Sequence, residues 1–150
     1  MRIVLVGATP MSVEAARRFV EEGEDVILID PDRSRFEALA GDLDIAFIEG
    51  DGARPEVLKQ ANPSDVDLLY ALADDDKVNI IAALVGRARG IERVIPKIED
   101  REYHPIAKEI GLDERVDPDH FIAKSLVRLG KEGDDGLEAD AEEEAREADD

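Results

Sequence analysis

The chain has 150 residues, no cysteine, and 38 acidic against 19 basic side chains, a formal net charge of −19. Its length is one domain's worth, enough to bury a core without disulfides, and so negative a surface excludes nucleic acid and anionic lipid as partners. Two histidines, His104 and His120, with no spacing that pairs them on a helix face, give no basis for a transition-metal centre.

No apolar run approaches the roughly 18 residues of a membrane span, and Met1 is followed within two residues by a strand rather than by a signal peptide. A cytoplasmic protein without direct membrane insertion is therefore expected. The acidity is spread along the chain and arginine is preferred over lysine. That pattern points to a salt-rich cytoplasm, with an ordinary acidic protein as the alternative.

In chain order, "RIVLV" (2–6), "DVILID" (25–30), "IAFIE" (45–49), "DLLYAL" (67–72) and "RVIPKI" (93–98) read as strands, because continuous short apolar runs suit strands covered on both faces. Helices are expected near 11–22, 33–41, 54–61, 75–89 and 101–110. A sixth short strand, "ERVDP" (114–118), and a last helix, "DHFIAKSLVRL" (119–129), follow. Strict alternation of strand and helix predicts an α/β fold, a Rossmann-like doubly wound parallel sheet of about six strands with helices on both faces. The folded domain is expected over 1–130. Ten acidic residues and one arginine fall between Asp134 and Asp150, so 131–150 reads as a disordered acidic tail or linker. A chain ending before a second domain would look the same.

The first strand runs into "VGATPMS" (6–12), at the edge where open α/β sheets bind ligands. Of the three glycines of a dinucleotide loop only Gly7 is present; Thr9 and Ser12 occupy the other two positions. Thr9 followed by Pro10 reads as a helix N-cap and first helical residue. The Thr9 hydroxyl then takes an amide that a phosphate would use, and Pro10 has none to offer. Asp30, 23 residues after Gly7 at the tip of the second strand, sits near the spacing at which a carboxylate accepts ribose hydroxyls and disfavours a 2′-phosphate. Its alternative role is to cap the turn before Pro31.

Three further stretches, "EGDGARPEVL" (49–58), "LADDDKVNIIAA" (72–83) and "VIPKIEDREY" (94–103), complete a pattern. Together with the first loop and Asp30 they resemble the TrkA N-terminal domain, also called the RCK or KTN domain, of potassium transporters and channels. The resemblance runs from Met1 to about Leu129. It implies that Gly7, Ala8 and Thr9 lie under the phosphates and Asp30 at the ribose, with Asp32 or Arg33 along the adenosine edge. Asp51 and Gly52 would border the adenine, and Ala73 and Asp74 would face the first loop across the cleft. Lys97 would neutralise a phosphate or pair with an acidic neighbour, and Asn79 would tie its helix to nearby loops rather than touch ligand.

The implied cofactor is NAD or NADH, or alternatively ATP, ADP or AMP. Members that bind nucleotides keep the full glycine set, so the altered positions leave open a domain that binds none. The resemblance further implies a homodimer or higher RCK assembly on a membrane potassium transporter or channel, hence a place peripheral to the inner face of the membrane. Phe121, Ile122, Leu126 and Leu129 fall mostly on one stripe of the last helix, which would grip a second subunit or pack on its own sheet.

A reductase is the rival class, because "GAT" also opens short-chain and NmrA-like reductases. Catalytic members use Tyr-x-x-x-Lys, whereas here Lys108 follows Tyr103 by five residues. No Ser-His-Asp set or P-loop occurs, so the expectation is a regulatory domain and not an enzyme. An assembly module without ligand, and a domain fused to a hydrolase or another effector, remain the other readings.

Overall fold

The computed structural model describes residues 1–132. The chain divides into two units, Met1–Val116 and a second beginning at Asp117. In the first, strands β1 (Arg2–Val6), β2 (Asp25–Asp30), β3 (Ala46–Glu49), β4 (Leu68–Ala71) and β5 (Arg93–Pro96) alternate with helices α1 (Pro10–Glu21), α2 (Arg33–Ala40), α3 (Pro55–Lys59), α4 (Asp76–Ala88) and α5 (Tyr103–Glu109). A single 3-10 turn, Pro63–Asp65, precedes β4.

All four strand pairings are parallel, in the order β3-β2-β1-β4-β5. The chain leaves the sheet at β3 and returns on the other side of β1, so the order reverses between β1 and β4. Successive strand residues face opposite sides, and both sides are buried. Val4, Val6, Ile27, Ile29 and Leu69 pack with Leu58 of α3, Ile80 and Ala83 of α4 and Ala107 of α5. Ile3, Leu5, Val26 and Leu28 pack with Val13 and Ala16 of α1 and Ala40 of α2. This two-sided burial is why the strands read as unbroken apolar runs.

The expected sixth strand is reduced to one parallel bridge, Lys97 to Val116. Val116 donates its amide to the Pro96 carbonyl at 2.9 Å and accepts from the Ile98 amide at 2.9 Å. The segment cannot extend further. Asp117 is already turned into the following helix, its carbonyl accepting from the Phe121 amide, and Pro118 begins that helix. The sheet therefore has five strands.

The described part of the second unit is helix α6 (Pro118–Glu132). The Asp117 carboxylate accepts from the His120 amide at 3.1 Å in its first turn. Phe121, Ile122, Leu126 and Val127 are each between 45% and 63% exposed. Lys131 and Glu132 belong to this helix, and the rest of the expected tail lies outside the described residues.

Candidate functional site

A cleft of about 470 Å³ opens at the carboxyl ends of β1, β2 and β4, where the strand order reverses. Its floor is Val6, Gly7, Ile29 and Asp30. One wall is Pro31, Asp32 and Arg35; the other is Ala73, Asp74, Asp75 and Val78; Asp51 and Gly52 close the side toward β3.

Gly7 is held at φ +98° and donates its amide to the Ile29 carbonyl at 2.8 Å. A Cβ at this position would lie 2.7 Å from the Cα and N of Ala73. The fold itself thus demands glycine here, both for the left-handed backbone and for the close approach of the β4 loop. Gly52 is packed as tightly, since a Cβ there would run into Val6 Cγ1. Beside it Asp51 forms the turn, its carbonyl accepting from Arg54 N at 2.9 Å and its Oδ1 from Ala53 N at 2.9 Å.

Thr9 is the N-cap of α1: its Oγ1 accepts from the Ser12 amide at 3.2 Å and donates to the Leu72 carbonyl at 3.1 Å. Pro10 is the first helical residue. Ala8 is fully buried and Thr9 is 4% exposed. Of the loop sequence only Val6 and Gly7 reach the cleft surface.

Asp30 is also 4% exposed, and both its oxygens are engaged. Oδ2 accepts from the Ala8 amide at 2.6 Å and Oδ1 from the Asp32 amide at 2.8 Å. The carboxylate thus clamps the end of β2 to the loop after β1 while keeping about two lone-pair sites for further donors. Asp32 caps α2, accepting from the amides of Ser34 and Arg35 and from the Ser34 hydroxyl. These donors, the hydroxyl foremost, hold its carboxyl below the usual carboxylate range.

Across the mouth, Arg35 donates to Asp74 Oδ2 at 2.6 Å, and this bond raises the guanidinium above its ordinary value. Sequence reading missed Arg35. Its partner lies 39 residues away, and the one local signal was that Asp32 as N-cap fixes Arg35 in the first turn of α2, beside the cleft.

Besides Ala8 and Thr9, two residues expected at the cleft, Arg33 and Lys97, stand elsewhere. Arg33 pairs with Glu49 at 3.2 Å and lies over the Phe47 ring at 4.8 Å. Lys97, 5% exposed, reaches Glu99 at 2.9 Å. Neither lines the cleft. Asn79, fully buried, receives the Ala73 amide on Oδ1 at 2.8 Å and donates Nδ2 to the carbonyls of Ala73 and Lys97 at 2.9 and 3.1 Å. It ties α4 to the loops after β4 and β5, as expected of it, and so fixes the cleft wall that faces Gly7.

For chemistry other than binding, little converges. Among the described residues no group of three His, Cys, Asp or Glu could hold a metal ion, and no helix is long and apolar enough to cross a membrane. Tyr103 and Lys108, five residues apart on α5, point about 140° away from each other. His104 accepts from Arg115 Nε at 3.0 Å on its Nδ1.

The Trk system potassium uptake protein TrkA homolog of Archaeoglobus fulgidus is 35% identical over 133 residues, covering 86% of this chain and 30% of that protein. The chain thus spans less than a third of that relative's length. Among solved structures, the TrkA-N domain of inner membrane protein ybaL from Escherichia coli superposes with a TM-score of 0.75 at 18% identity, covering 85% of this chain and 95% of that one. The Kef CTD of Shewanella denitrificans in AMP-bound form does so with a TM-score of 0.73 at 17% identity, covering 99% and 95%. At such identities these two establish the fold. The TrkA-N domain family matches residues 3–118, which takes in the five strands from Ile3 onward and the whole cleft, and this chain belongs to it.

Proposed function

We propose that the chain is a non-catalytic regulatory domain of a potassium uptake system that binds an adenine nucleotide in the cleft between its two half-sheets. The observation that carries this reading is the position of Asp30, a buried carboxylate with spare acceptor capacity at the floor of a cleft at the switch point. In this reading Asp30 takes the ribose hydroxyls, Asp51 and Gly52 border the adenine, and Gly7 and Ala73 pack against the sugar. The names of the relatives, a potassium uptake protein and an AMP-bound domain, support the same class of function. NAD and NADH stand beside ATP, ADP and AMP as ligands. The domain acts as a homodimer or higher assembly on a membrane potassium transporter or channel, and a ligand alters it only by binding one assembly geometry more tightly than another.

Titration calorimetry tests this in about 2 M KCl, which screens the acidic surface, with each of the five nucleotides in turn and again on Asp30→Asn. Thermal melting of the variant checks that the loop clamp survives. Saturable binding lost in a folded Asp30→Asn supports the reading. Absence of binding by all five favours a second one, an assembly module. The self-capped first turn of α1, with Thr9 Oγ1 on the Ser12 amide, supports that alternative.

A further inference from the structure

The chemistry lining the cleft is lopsided. Five carboxylates, Asp30, Asp32, Asp51, Asp74 and Asp75, face one guanidinium, Arg35, which is already spent on Asp74 at 2.6 Å. Most of the backbone donors in the loop after β1 are spent as well, leaving the amides of Thr9 and Met11. Gly7 N donates to Ile29 O, Ala8 N to Asp30 Oδ2, Ser12 N to Thr9 Oγ1 and Val13 N to Thr9 O, and Pro10 has no amide. The cleft surface meets this loop only at Val6 and Gly7. The site is therefore rich in acceptors and poor in donors. Such a site suits hydroxyls and exocyclic amines, which donate; it repels phosphate oxygens, which accept and carry charge.

The geometry points to a ribonucleoside carrying at most one phosphate as the ligand of this cleft, with pyrophosphate-bearing nucleotides disfavoured. The inference rests on the nucleotide-binding reading above and narrows it. Ribose hydroxyls donate to the two remaining lone-pair sites of Asp30, and an exocyclic amine donates to Asp51, whose Oδ1 carries a single intramolecular bond, from Ala53 N. A lone phosphate would reach solvent past Gly7. A second phosphate, or the nicotinamide half of a dinucleotide, would have to lie along the first turn of α1, where Thr9 is buried and the capping amide is taken.

The test is titration of the full chain with adenosine, AMP, ADP, ATP and NAD at about 0.5 M and 2 M KCl. The expected result is that adenosine and AMP bind at least about tenfold more tightly than the other three, with the gap widening at the lower salt as screening weakens. The paired variant Thr9→Gly with Pro10→Ala restores one amide and removes the internal cap; it is expected to gain affinity for ADP and NAD while leaving adenosine unchanged, with thermal melting to confirm that it is folded. ADP, ATP or NAD binding as tightly as adenosine, with Asp30→Asn abolishing it, would overturn this inference and leave the nucleotide reading standing. Failure of all five ligands would overturn both.

Discussion

Asn79 offers the sharpest test of how the cleft is held open. Its side chain is fully buried and makes three hydrogen bonds, one from the Ala73 amide and two to the carbonyls of Ala73 and Lys97. Each such bond contributes a net ~1 kcal/mol, so Asn79→Ala is expected to cost about 3 kcal/mol before any cavity is counted. Against a total stability of roughly 5–15 kcal/mol for a domain, that is a large fraction. Asn79→Asp separates the bonds from the volume. It keeps the acceptor for Ala73 N but turns an oxygen toward two carbonyls, so its cost is expected to match or exceed that of alanine at neutral pH. On acidification the protonated carboxyl regains one donor, and the loss shrinks. Urea denaturation followed by far-UV circular dichroism at constant KCl measures both variants, and ligand affinity should fall with them because Ala73 is the wall opposite Gly7. An Asn79→Ala protein within about 1 kcal/mol of the parent, at unchanged dependence on urea, would refute the claim that this side chain fixes the loop.

Three other side chains can be tested more briefly. Gly7→Ala meets both a left-handed backbone and the Ala73 main chain at 2.7 Å, so a loss of at least about 2 kcal/mol is expected; an unchanged melting temperature would contradict it. Asp32 has its carboxyl lowered by the donors it caps, so its contribution is complete above the ordinary carboxylate range and lost as pH falls through its own lower value. The stability difference between the parent and Asp32→Ala should accordingly vanish on the acid side, and a difference that persists there would show that the cap is not ionic. Tyr70 is raised chiefly by burial, so the fold favours the neutral phenol and loses stability as pH climbs past the ordinary tyrosine value. Tyr70→Phe should remove part of that alkaline fall in denaturation curves, and curves that superimpose would count against the burial argument.

Much of the fold was legible because each strand is covered twice. Val4 and Val6 face α3 and α4 while Ile3 and Leu5 face α1, and that requirement writes unbroken apolar runs into the sequence. The 114–118 segment shows where the rule fails. Its composition suits a strand, but the length of a ladder depends also on the neighbouring residues, and the helix beginning at Pro118 leaves Val116 alone in place. The site was legible in parts for a similar reason. Thr9-Pro10 is a local signal, and the cap it announced is present. Arg35 was not readable, because its bond to Asp74 depends on two elements from opposite halves of the sheet meeting at the mouth. Asp30 was readable as a carboxylate at a strand tip. Its clamp on the Ala8 amide depends on how the two loops meet in space.

That clamp bears on how the family's motifs should be weighed. Gly7 is required by its backbone angle and by Ala73, Asp30 by the amides of Ala8 and Asp32, and Asn79 by three main-chain groups. Each would be kept by a domain that never met a nucleotide, because losing it damages the fold directly. These residues therefore report the fold first and the ligand second. The discriminating positions are those whose side chains face the cleft at little structural cost, Asp51 and Asp74 among them. Both are exposed, and Asp74 has Arg35 as its ion-pair partner, a contact that as a surface pair is worth little to stability. Changing either to asparagine should leave melting nearly unaltered. If the cleft binds through its acceptors, Asp51→Asn should weaken adenosine, whereas Asp74→Asn frees Arg35 and should strengthen AMP relative to adenosine. Opposite signs at two neighbouring carboxylates of equal charge would come from local chemistry; equal shifts would mean that only the bulk field of this acidic surface is being measured.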